Sequence, residues 1–177
     1  MDIAITGQAI DKLKVPTDIE KRYASNPTRT GVVCVSETTV KTEAEAKDVL
    51  DRVAAGEDFT KVATSTTTNK ERKSAQGHVL AGNGSPCYIL ESVNDQLSPA
   101  VMRALAVTGA GVPTVAVQDA EGWHVAMHRP WTEISKDYTT TLGDRTGRQL
   151  LAGYLATADI RVNSTYGTWN PVTSRVE

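Results

Sequence analysis

Apolar positions along TEAEAKDVLDRVAAG, residues 42 to 56, recur at the spacing of one helix face: Ala46, Val49, Leu50 and Val53 fall at i, i+3, i+4 and i+7. Thr42 and Glu45 stand three apart at the start, the spacing at which two orphan backbone donors are satisfied reciprocally, and Gly56 stands at the end. The pattern predicts a helix with both ends marked. GVVCVS, residues 31 to 36, is apolar almost throughout and predicts a strand buried on both faces or nearly so. Phe59, Val62 and Ala63 predict one or two further helical turns in EDFTKVA.

Periodicity then fades. Residues 64 to 87 are rich in Ser, Thr, Asn and Gly and predict a long exposed loop, with the hydroxyl run at 64 to 68 and the basic pair Arg72 and Lys73 in solvent. LSPAVMRALAVTG restarts a helix with Ser98 as N-cap, Pro99 at the first helical position and Gly109 at its end. VPTVAVQDAEGWHVAMH reads as a hairpin with strands over 112–117 and 122–128 and a turn at Asp119 to Gly122. Period two in its second strand puts Trp123, Val125 and Met127 on one face and His124, Ala126 and His128 on the other.

The ends of the chain read as helical. In VPTDIEKRYASNP, Thr17 and Glu20 repeat the capping-box spacing, and the helix ends by Asn26 and Pro27. After Pro130 a helix is predicted with Tyr138, Leu142, Leu150, Leu151, Tyr154 and Leu155 on its apolar side, weakened at Gly143 and Gly147. IRVNSTYGTWNP reads as a short strand and an aromatic turn.

Composition narrows the function classes. The chain has 177 residues, 40% apolar and 23% charged, with a net charge of -2, as expected of one globular domain or one with a smaller companion. Without a basic excess, a nucleic-acid backbone is not the expected partner. No apolar run approaches the roughly 18 residues that span a bilayer, and MDIAITGQAIDKLK lacks the basic start and apolar core of a secretory signal, so a soluble chain is expected. Cys34 reads as a buried thiol between valines, and whether it approaches Cys87 is left open. His78, His124, His128 and the cysteines show no C-x-x-C or H-x-x-x-H spacing, so no metal site is expected. No serine has the surroundings of an activated nucleophile, and GAG at 109 to 111 ends a helix where a phosphate cradle would begin one.

TEAEAKDVL, AGEDF and the closing GWHVAMH together resemble the parvulin family of peptidyl-prolyl isomerases over about residues 31 to 130. RYASNP before this stretch and ADIRVNSTYGTWNP after it resemble the flanks of extracytoplasmic foldases and chaperones of the SurA and PrsA type. The resemblance implies an α+β, parvulin-like fold: a small antiparallel or mixed sheet with surrounding helices, plus flanking helical chaperone-type segments. It divides the chain into an N-terminal flank, 1–30, a parvulin-like domain, 31–130, and a C-terminal flank, 131–177. An extracytoplasmic location, unfolded or proline-containing polypeptide clients and no cofactor follow from the same likeness.

Carried over residue by residue, His124 matches the family's closing-strand histidine, and Leu97 and Val101 fall at two pocket positions, Val101 being smaller than the usual phenylalanine. Glu37 stands where the family has a histidine. The family's Cys or Asp falls near Thr68 or Asn69, and His78 in QGHVL at a family aspartate. Glu37 and His78 are candidates for an exchanged acid and imidazole that meet across the site. On residues alone, His124 also reads as a satisfied strand histidine and His128 as a strand-end surface residue. Two functions follow from the likeness: slow prolyl isomerisation in folding clients, or a degenerate domain that holds extended peptide without turnover.

Overall fold

The computed structural model describes residues 14–143, 146–170 and 175–176. The short helix α1, Ile19–Ser25, leads into β1, Val32–Val33, and β2, Val35–Val40. Helices α2, Glu43–Ala54, α3, Phe59–Thr66, and α4, Lys70–Ser74, follow, then β3, Tyr88–Ile89, and α5, Pro99–Leu105. A hairpin of β4, Val117–Gln118, and β5, Trp123–His128, comes next. Helices α6, Trp131–Leu142, and α7, Thr146–Thr157, and the pair β6, Trp169–Asn170, and β7, Arg175–Val176, complete the described chain. This is an α+β fold built around small antiparallel sheets.

The central sheet has the order β2-β5-β4, with Glu37 opposite Ala126 and Thr39 opposite His124. Its two faces bury different clusters, as the alternation along β5 predicts. Val125 and Met127 join Val40, Ala46, Val49, Phe59 and Val62 beneath α2 and α3. Ala126 joins Val33, Val35, Leu97, Val101, Met102 and Leu105 beneath α5. A third cluster, with Tyr23, Ile134, Tyr138 and Leu142 around Val32, Cys34 and Cys87, packs α1 and α6 against the β1–β3 edge. Within it the rings of Tyr23, Trp131 and Tyr138 sit 5.0 to 5.5 Å apart, Tyr138 edge-on to the other two and Tyr23 tilted against Trp131, geometries that suit their quadrupoles.

Local signals decide many ends. The Thr42 and Glu45 capping box forms, and Ser98 caps α5 with Pro99 behind it. Helix breaks fall at Gly56 (φ 96°) and at Gly143 (φ 51°), which separates α6 from α7. The N-terminal capping box does not form: Asp18 takes the cap position without a side-chain cap bond and instead pairs with Arg22 at 2.8 Å. Helix α5 stops at Leu105, short of Gly109, and the first hairpin strand is only Val117–Gln118. Residues 160–162 form no strand.

Four larger corrections follow, three on residues 64–87 and their partners and one on His128. That stretch is not an exposed loop: α3 runs to Thr66, α4 occupies 70–74, and Val79 pairs with Val35 through a 2.9 Å backbone bond. Arg72 is buried, not solvated. Cys34 is no free thiol but is joined to Cys87 by a disulfide across 53 positions, a closure worth roughly 4 kcal/mol by loop entropy. His128, expected at the surface, is fully buried.

Candidate functional site

β2 and β5 place Glu37, Thr39 and His124 on one sheet face, because each strand alternates and the register sets Thr39 beside His124 with Glu37 on the diagonal. Glu37 Oε1 lies 2.9 Å from His124 Nδ1, and its Oε2 accepts from Arg72 Nε at 2.9 Å. Arg72 Nη2 also donates to the Gln96 carbonyl at 2.7 Å, tying α4 to the segment before α5. On the far side of the ring, His124 Nε2 lies 2.8 Å from Asp119 Oδ1. Four titratable side chains thus form one chain of contacts, Arg72, Glu37, His124 and Asp119. The side chains of the first three are at most 7% exposed and that of Asp119 is 19% exposed.

The hydroxyl run explains how Arg72 reaches a strand 35 positions earlier. Thr68 donates to the Thr39 carbonyl through both its N–H, at 2.8 Å, and its hydroxyl, at 3.0 Å. Thr67 Oγ1 accepts from Thr39 N–H and from Asn69 N–H, and Thr38 and Thr66 hydroxyls meet at 3.0 Å. Asn69 Oδ1 then caps α4, accepting from the N–H groups of Glu71 and Arg72. A run that reads as solvated loop is a ladder fixing α4 to the end of β2.

The hairpin turn supplies Asp119. Its N–H donates to the Gly122 carbonyl at 3.0 Å, and its Oδ1 accepts from Glu121 N–H at 2.8 Å. Gly122 has φ 141°, and a Cβ there would stand 2.5 Å from the Val40 carbonyl oxygen, so only glycine lets the turn lie this close to β2.

Electrostatics follow from these contacts. Burial pushes the His124 ring down, but the bonds and charges of Glu37 and Asp119 outweigh it and hold the ring above the ordinary histidine value. Burial also works against the Asp119 carboxylate, yet bonds from Ser98, from Glu121 N–H and from His124 hold it below its ordinary value.

The network opens on a cleft of about 510 Å³ lined by Leu97, Pro99 and Ala120 and by polar groups including Asn69, Gln96 and Glu121. Of the expected pocket residues, Leu97 lines it, whereas Val101 is wholly buried in the core beneath α5. Asn69 lines it; Thr68 spends its donors on β2. His78 does not meet Glu37. It lies beside Ser36, with Nδ1 2.9 Å from Ser36 Oγ, and β2 alternation turns Ser36 to the opposite face from Glu37. Among the described residues no group of three or more His, Cys, Asp or Glu side chains is placed to hold a metal ion.

Sequence reasoning missed Arg72 and Asp119. The signal for Asp119 was present: it begins the turn before GWH, five residues from His124, close enough for a tight hairpin to return it to the ring.

No family model matches the chain, and no curated protein does. Solved structures do. The chain is similar to the parvulin domain of PpiD from Escherichia coli, with 18% identity and a TM-score of 0.43 over 55% of this chain and 85% of that one. It is similar to PrsA from Bacillus subtilis, with 18% identity and a TM-score of 0.48 over 89% of this chain. A SurA-like chaperone structure from Campylobacter jejuni matches at 16% identity and a TM-score of 0.44, over 91% of this chain and 69% of that one. The chain spans 62% of the length of the Bacillus subtilis protein.

Proposed function

We propose that this chain is a parvulin-type foldase that takes extended, proline-containing polypeptide into the cleft beside His124 and isomerises it slowly. One observation carries this reading: the residue at the family's closing-strand histidine position, His124, sits in a buried charged network that forms the floor of a cleft edged by Leu97 and Pro99. Rotation about an X-Pro bond meets a barrier of about 18 to 20 kcal/mol because the amide loses resonance as it twists. A cleft lowers that barrier without acid, base or metal if its fixed charges and apolar edge favour the twisted amide over the planar one. Leu97, Pro99 and Ala120 are the groups available to the proline ring, a thin apolar lining, which is why turnover is slow.

In this reading residues 31–130 form the client-binding unit, and the flanks 1–30 and 131–177 complete a chaperone module. The Cys34–Cys87 disulfide supports an oxidising, extracytoplasmic compartment, where such bonds persist.

A protease-coupled assay on Ala-Pro peptides tests the proposal: slow acceleration that His124→Ala abolishes supports it, and acceleration indifferent to that substitution sinks it. A second reading, a holdase without turnover, is favoured by the polar lining and by the two bonds that already occupy both ring nitrogens of His124. Absent turnover together with suppressed aggregation of a reduced, unfolded client would put the holdase in place of the isomerase.

A further inference from the structure

The ring of His124 is gripped at both nitrogens, Nδ1 by Glu37 at 2.9 Å and Nε2 by Asp119 at 2.8 Å, with Thr39 Oγ1 3.3 Å from Nδ1. An ionised carboxylate only accepts, so two short contacts of this kind call for a proton on each ring nitrogen. A neutral imidazole carries one N–H and would turn the lone pair of its other nitrogen against a carboxylate oxygen. The charges around the ring fit the doubly protonated form. Glu37 faces it from β2, with Arg72 of α4 behind that carboxylate; Asp119 faces it from the turn, with Glu121 and Glu71 further along the cleft. Gln96, Leu97, Ser98 and Pro99, from the segment opening α5, line the same cleft and carry no charge.

We propose that Asp119 is a positioning residue: with Glu37 it fixes His124 in the doubly protonated form, leaving the ring neither a lone pair nor a spare N–H for anything in the cleft. The cleft then acts on a bound segment by shape and by a fixed field, without proton transfer, and its behaviour is flat from mildly acid to neutral pH. The clamp stands on the geometry of the ring alone. Only the consequence for a bound segment rests on the proposed client site.

Nitrogen NMR of the full chain, with the His124 ring assigned by comparison with His124→Gln, decides the matter. At about pH 7, above the ordinary histidine value of about 6.5, wild type still gives protonated shifts at both ring nitrogens. Asp119→Asn keeps the shape of the side chain and an oxygen to accept from Nε2 while removing the charge, and it weakens proton binding at His124 about tenfold, one pH unit. A neutral tautomer in wild type, or an Asp119→Asn midpoint equal to the wild-type one, overturns the inference. The wild-type spectrum reads the clamp directly, so the test survives a variant that fails to fold.

A second arm follows binding of an Ala-Pro peptide at about pH 5.5 and about pH 7, on either side of the ordinary histidine value. Binding is flat in wild type and becomes pH-dependent in Asp119→Asn. Wild-type binding that changes as His124 titrates overturns the inference. A wild type that binds no peptide overturns the client site instead, and the ring spectrum still decides the clamp.

Discussion

His124 and His128 lie on the same face of β5, four positions apart, and both are buried, yet their surroundings are opposite. His124, at the cleft end, meets two carboxylates and is held above the ordinary histidine value. His128, at the end facing the flanks, has Thr28 Oγ1 and the Leu105 carbonyl, each 3.2 Å from Nε2, and Nδ1 has no partner. Burial pushes it down to about 4, the Leu105 carbonyl only partly opposing the fall. One strand therefore carries an imidazole that holds its proton more tightly than usual where the sheet opens and one that holds it less tightly where it is sealed. Burial alone does not set a histidine's charge; the groups that turn to meet it do.

The contrast is broken most severely at the cleft end by Arg72→Ala. It leaves Glu37 and Asp119 sharing the single His124 ring, one negative charge uncompensated in a largely buried cluster, and the expected loss is about 3 to 5 kcal/mol. Urea unfolding against wild type measures it; a loss under about 1 kcal/mol would mean that the pair contributes no more than a surface bridge.

A pH series sharpens it. For His128 the unfolded ring binds a proton near 6.5 and the folded ring only near 4, so its stability contribution is present above pH 6.5 and is lost as pH falls toward 4, roughly 3 kcal/mol in all. For His124 the sign reverses: its contribution is present below 6.5 and is lost as pH rises through its raised folded value. His128→Gln is expected to flatten the acid limb of a stability–pH profile and leave the alkaline limb in place. Loss of both limbs together would show that the two rings are not independent.

The smallest expected effect is Thr67→Val. It removes the hydroxyl that accepts from Thr39 and Asn69 N–H, for about 1 to 3 kcal/mol as one buried and one half-buried donor lose their partner. Hydrogen exchange of the α4 amides should rise more than that of α2, because the ladder seats α4.

What the sequence discloses here is what neighbours decide. The α2 capping box, the Ser98 and Pro99 start of α5 and the period-two faces of β5 all depend on residues within a few positions, and each forms as read. Arg72 was illegible because its partner stands 35 residues earlier, and an arginine beside a lysine in a hydroxyl-rich stretch has every local mark of solvent. The disulfide was illegible for the same reason, spanning 53 positions. Even a local signal loses when an equal one competes: Thr17 and Glu20 had the capping spacing, but Asp18 took the cap position and Arg22 took its carboxylate. The position of His124 was readable on its strand, while its charge depends on a salt-bridged carboxylate and a turn that no periodicity reveals.

The Cys34–Cys87 link makes the stretch between its ends, with Glu37 and Arg72 inside, a covalently sealed ring of chain. A protease that nicks this ring once releases no fragment, and the severed halves separate only when a thiol is added.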